Sequence, residues 1–150
     1  MKKNKALLLL TAIAVVASAF YGSHEYFKPN PDMSVLIPAY HSDAPGLLKE
    51  FSTDDSAATR KYLGKVVLTN GTIRDIEKSG TDYYTLVLGS PGDPSSVRCA
   101  IDVHHTRDLA RLRAGAFAEV KGVFTGYNKD DTGLLGSDAQ LNRCVVINKN

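Results

Sequence analysis

Hydrophobic and polar positions divide the 150-residue chain into three stretches of different character. An uncharged apolar run without period extends over 17 residues from Ala6 to Gly22, behind Lys2, Lys3 and Lys5. An irregular stretch follows, in which Pro29, Pro31 and Pro38 oppose helix and only Met33 to Ile37 are apolar. From about Asp43 the pattern becomes that of a folded domain, first helical and then alternating.

The helical part begins with the apolar group Leu47, Leu48 and Phe51, read as a turn or short helix. Ser52-Thr53-Asp54-Asp55 then offers a helix start with acidic residues in the first turn, and Ala57, Ala58, Tyr62 and Leu63 share one face before Gly64. The spacing predicts a helix over about 53–62.

From Lys65 the period is that of strands. Val66, Leu68, Ile73 and Ile76 are distributed around Gly71, where a glycine predicts a bend that lets one long strand serve two sides of a small barrel. Tyr83 to Leu88 is a second strand, and Val97, Cys99, Ile101 and Val103 alternate with polar positions in a third. Thr106 to Arg113 reads as a short helix, Ala118 to about Thr125 as a fourth strand and Leu141 to Ile147 as a fifth. The order β-β-β-α-β-β after a helix predicts a mainly β protein, a five-stranded OB-fold barrel. A generic α+β sandwich is the competing arrangement.

The first stretch sets the expected compartment. A basic segment followed by an apolar run is an export or anchoring signal. Ala17-Ser18-Ala19 fits cleavage before Phe20, and residues 6–22 retained as a membrane anchor are the alternative. The expected organisation is therefore leader 1–22, linker 23–42 and domain 43–150. The leader also explains the formal charge of +2, because residues 20–150 hold 15 Lys/Arg against 16 Asp/Glu. A basic whole-chain balance thus gives no argument for a nucleic-acid partner.

Ala57 to Val66, Gly71, Val97-Arg98-Cys99, Gly115, Lys121-Gly122 and Cys144 resemble the tRNA-anticodon-binding-like OB-fold family of small bacterial envelope proteins. The resemblance covers about residues 47–147 and implies the OB-fold and a place in the bacterial cell envelope, periplasmic or anchored in the inner membrane. Its motifs are structural glycines and apolar positions, which specify fold rather than function. Phe124-Thr125-Gly126 stand where many members have a cysteine, so the family's metal or disulfide arrangements do not carry over.

Candidate chemistry is sparse. Cys99 and Cys144 lie on strands that are neighbours in an OB-fold, and either pack as small apolar residues or form a disulfide. His104-His105 end the third strand on opposite faces and are read as exposed and uncommitted, with no metal site. The loop Tyr127 to Gly133 lacks the closing carboxylate of a calcium loop and is read as solvated. No nucleophile motif, phosphate-cradling loop or catalytic carboxylate pair is present, so an enzyme and a cofactor are not expected. OB-folds bind across the second and third strands, where one of Tyr83 and Tyr84 must face outward near Arg98, with Arg74 and Tyr127 at the border. These five residues are the candidate ligand site. The expected function is an exported or membrane-anchored, non-catalytic binding module for an envelope protein, peptide or glycan. Single-stranded nucleic acid is the alternative, opposed by Asp75, Glu77, Asp82 and Asp102 close to that face.

Overall fold

The computed structural model describes residues 2–27 and 31–147, with side chains from Thr11 onward. They form two units, one ending at Pro31 and one beginning at Asp32. The first is a single helix, α1 (Lys2–Tyr26), which extends four residues beyond the apolar run. The predicted anchor lies within α1, although the side chains of residues 6–10 fall outside the described residues, as do Lys28, Pro29 and Asn30 of the predicted linker. Among the described residues no helix is long and apolar enough to cross a membrane.

The second unit is a closed barrel. Its elements are β1 (Tyr40–Asp43), α2 (Ala44–Thr53), α3 (Asp55–Tyr62), β2 (Val66–Ser79), β3 (Tyr83–Leu88), β4 (Ser96–Ile101), a 3-10 helix (Val103–Arg111), β5 (Phe117–Asn128) and β6 (Asp138–Val146). The sheet runs β1-β2-β3-β4-β6-β5, and β5 returns to pair with β2. The parallel β4–β6 pairing completes the OB-fold closure and rules out the open α+β sandwich.

One long strand does serve two sides. Val66 to Thr72 pair with β5, whereas Ile73 to Ser79 pair with β3 across a register shift. Gly71 sits at the switch because a Cβ there would stand 3.1 Å from Ala44 Cβ. The expected short helix before the main one is a full element, α2, capped by Asp43, which accepts from Gly46 N. Asp54 then caps α3 by accepting from Ala57 N at 2.9 Å, so the predicted helix over 53–62 begins two residues later. Phe51 from α2 stacks on Phe124 of β5, with ring centroids 4.9 Å apart, and Tyr62 of α3 packs beside both. These rings close one end of the barrel over Val67, Leu88, Val97, Val120 and Leu141.

The five expected strands close the barrel as β2-β3-β4-β6-β5, and Tyr40–Asp43 add a sixth strand to the sheet by pairing in parallel with Val67–Asn70 of β2. Two expectations need correction. Residues 32–42 are a docked strap instead of a spacer. Met33 is 1% exposed, and Lys121 Nζ donates to Ser34 O and Leu36 O at 2.8 and 2.7 Å. A spaced apolar residue and a distant lysine give no local sign of that contact. Finally, Val103 leaves the strand pattern. Asp102 accepts from His104 N at 3.0 Å and starts the 3-10 helix, which runs 103–111 rather than 106–113.

Candidate functional site

The face expected to bind is the outer surface of β2, β3 and β4. Alternation turns Leu86 and Leu88 into the core and leaves Tyr83, Thr85 and Val87 on the opposite side, where Tyr83 is exposed but Val87 is covered and only 1% exposed. Arg98 of β4 lies opposite Val87, and Asp75 of β2 flanks Val87 on the other edge. Glu77, opposite Thr85, reaches across β3 to make a bidentate ion pair with Arg98. Asp75 and Asp138 add to the field of Glu77, and together they hold the guanidinium pKa above its usual value against partial burial. The centre of the face is therefore one arginine among three carboxylates, with Ser96 Oγ donating to Asp138.

The five candidate residues do not converge. Tyr83 is 68% exposed on the outer face, four residues or roughly 13 Å along the strand from Val87. Tyr84 turns toward the core, with Lys78 Nζ 5.5 Å from its ring centroid. Arg74 is a staple for the β3–β4 loop, since Nη1 donates to the carbonyls of Asp93, Pro94 and Ser95 at 2.6, 3.3 and 3.2 Å. Tyr127 stacks on Phe51 at 4.6 Å and belongs to the aromatic closure. Asp138, which sequence spacing did not single out, completes the charge cluster because the parallel β4–β6 register sets it opposite Ser96. Asp102 belongs to the start of the 3-10 helix and not to this face.

The histidines also differ from expectation. His104 Nδ1 lies 2.9 Å from Asp102 Oδ1, and His105 Nε2 lies 3.0 Å from Asp32 Oδ1. His105 Nδ1 is 3.6 Å from Asp108 Oδ2, so His105 ties the strap to the 3-10 helix and is committed. Backbone donation from Ser34, its side chain and then His105 lower the Asp32 pKa to about 2.

In the β5–β6 loop, Asp130 organises its own surroundings. Its carboxylate accepts from Thr132 N, Leu135 N and Gly136 N at 2.9, 2.7 and 2.9 Å and from Thr132 Oγ1. These donors hold its pKa well below the carboxylate range. Among the described residues no group of three or more His, Cys, Asp or Glu could hold a metal ion.

Cys99 and Cys144 are free, fully buried thiols. Burial, followed by the neighbouring Cys99, pushes the Cys144 pKa up. A concavity of about 340 Å³ lies between α2 and α3, with Ala57 and Ala58 in its lining and Lys49, Glu50 and Lys61 around them. Glu50 there accepts from Lys61 Nζ at 2.8 Å and Tyr62 OH at 2.9 Å, so its charge is already matched.

Comparison with known proteins places these features in a family. Among solved structures, the barrel is similar to a Klebsiella pneumoniae lipoprotein presumed to bind nucleic acid. That likeness has 22% identity and a TM-score of 0.56, and covers 81% of this chain and 100% of that one. Weaker likenesses include the aspartyl-tRNA synthetase of Entamoeba histolytica, at 10% identity and TM-score 0.43, covering 58% of this chain and 19% of the enzyme. The asparaginyl-tRNA synthetase of Pyrococcus horikoshii gives 15% and 0.40, covering 58% and 20%. The chain thus spans about a fifth of either synthetase, and no functional argument rests on them. No curated protein matches this chain at a significant level. The sequence signature of the tRNA_anti-like family matches residues 1–138, and the chain belongs to that family.

Proposed function

We propose that this protein is an exported or membrane-anchored OB-fold module that binds a protein, peptide or glycan through the β2–β3–β4 face and carries out no catalysis. The observation that carries this reading is the Arg98–Glu77 pair beside Asp75 and Asp138. A phosphate approaching Arg98 would have to displace Glu77 and overcome two further carboxylates. A neutral or basic group meets no such barrier, and Tyr83, roughly 13 Å along β3, supplies a separate exposed aromatic contact. The basic and apolar leader supports the envelope location, as does the lipoprotein name of the K. pneumoniae relative.

Single-stranded nucleic acid is the rival ligand, favoured by the name of that relative and by the exposed Tyr83 ring. Titration of the full chain with fluorescent single-stranded oligonucleotides, at several salt concentrations, separates the two. The proposal expects no salt-sensitive binding at micromolar concentration, and crosslinking of an envelope component through a photoreactive group at position 83. Tight, steeply salt-dependent oligonucleotide binding would overturn it. Intact mass of envelope-purified protein distinguishes cleavage after Ala19 from a retained anchor.

A further inference from the structure

Three exposed arginines follow one another closely in sequence on an element outside the β2–β3–β4 face. Residues 32–147 contain seven arginines. Arg74 and Arg98 are committed as described, Arg143 has a partner, and Arg60 lies apart in the last turn of α3. Arg107, Arg111 and Arg113 make no side-chain hydrogen bond or ion pair among the described residues, and all three are exposed. They fall within seven residues of the 3-10 helix and the turn after it. The carboxylates of this cap are engaged elsewhere. Asp102 faces His104, while Asp108 and Asp32 face His105, and the side chains of Asp102 and Asp108 are only 17% and 21% exposed. Three like charges presented together repel one another unless an anionic surface neutralises them. Guanidinium groups match phosphate oxygens in paired hydrogen bonds.

Two further observations indicate what that surface is. Asp32, the first residue of the folded unit, is bonded to His105 on this same helix, so the N-terminal end of that unit lies at this cap. Apolar groups also flank the arginines, since Val103 is 46% and Phe117 60% exposed. Cations bordered by exposed apolar side chains suit the headgroup boundary of a lipid layer.

We propose that residues 103–117 form a docking surface for anionic phospholipid headgroups. Arg107, Arg111 and Arg113 pair with lipid phosphates, and Val103 and Phe117 lie at the boundary with the acyl chains. The β2–β3–β4 face remains a separate surface for its own ligand.

The full chain bound to phosphatidylcholine vesicles, compared with vesicles containing phosphatidylglycerol, tests this by amide hydrogen exchange. The leader associates with both, so the readout is the segment 103–117. Exchange there is expected to slow on phosphatidylglycerol and to stay unchanged over β3. Each arginine near an anionic surface contributes about fivefold, so R107Q/R111Q/R113Q should reduce docking roughly a hundredfold while thermal unfolding stays the same. R111Q alone should lose about fivefold. Equal exchange on the two vesicle types would overturn the proposal. So would equal protection of 103–117 by a single-stranded oligonucleotide added to the phosphatidylcholine sample, which would make the cap a nucleic-acid surface.

Discussion

Cys144 Sγ occupies the space that a side chain at Gly122 would need. A Cβ at position 122 would stand 2.4 Å from that sulfur, 3.1 Å from Asn142 O and 3.3 Å from Leu141 Cβ. β5 and β6 therefore approach each other closely only because one strand is bare where the other carries a thiol. Gly122→Ala is expected to destabilise the barrel by about 1–3 kcal/mol through overpacking. Adding Cys144→Ala should recover part of that loss, which a double-mutant cycle in thermal unfolding measures. Equal melting temperatures for Gly122→Ala and the parent would show that the strands relax apart without cost.

The same burial governs thiol chemistry. With Cys99 and Cys144 enclosed and the Cys144 pKa raised, both should resist alkylation in the native protein and react together on unfolding. Mass spectrometry in denaturant should find two adducts without reductant. No adduct until reductant is added would identify a bridge between β4 and β6 in the native protein.

Glu77 decides whether Arg98 is available. Glu77→Gln removes one carboxylate and leaves the guanidinium with weaker competition for a phosphate. Oligonucleotide affinity should rise by several-fold and become more salt-dependent, as read by fluorescence anisotropy. Adding Arg98→Gln should abolish the gain. No change in Glu77→Gln would mean that Asp75 and Asp138 alone exclude the anion.

The strap should loosen in acid. Asp32 has a folded-state pKa of about 2, below its ordinary 3.8, so its stabilising contribution is present above about pH 4 and is lost as pH falls toward 2. Amide exchange at residues 33–36 should accelerate over that window. Asp32→Asn should remove the pH-dependent component at those residues while leaving the β5–β6 loop, organised by Asp130, to follow its own acid transition. A strap whose exchange is flat between pH 4 and 2 in the parent protein would show that Lys121 and Met33 hold it without Asp32.

Alternation and turn residues carried most of the barrel, because the inward positions of β2 to β6 are mostly apolar in their own local pattern, buried Thr69 being an exception. The bend at Gly71 and the neighbouring third and fifth strands of the pattern were legible for the same reason. The strap and β1 were not. Their partners are Lys121, His105 and β2, dozens of residues away, and Met33 reads like any isolated apolar residue until the fold brings β5 and β6 beneath it. The candidate ligand site fared differently. Tyr83 facing outward follows from strand period, but residue type alone cannot show that Arg74 is spent on loop carbonyls or that Tyr127 stacks on Phe51. The sequence by itself determined the order of elements and the barrel class, since those depend on local periodicity along the chain. Only the tertiary structure decided which cations are free. Arg98 lost its availability to Glu77 across β3, and the three arginines at 107–113 kept theirs, because ion pairing depends on distances that strand register and closure set.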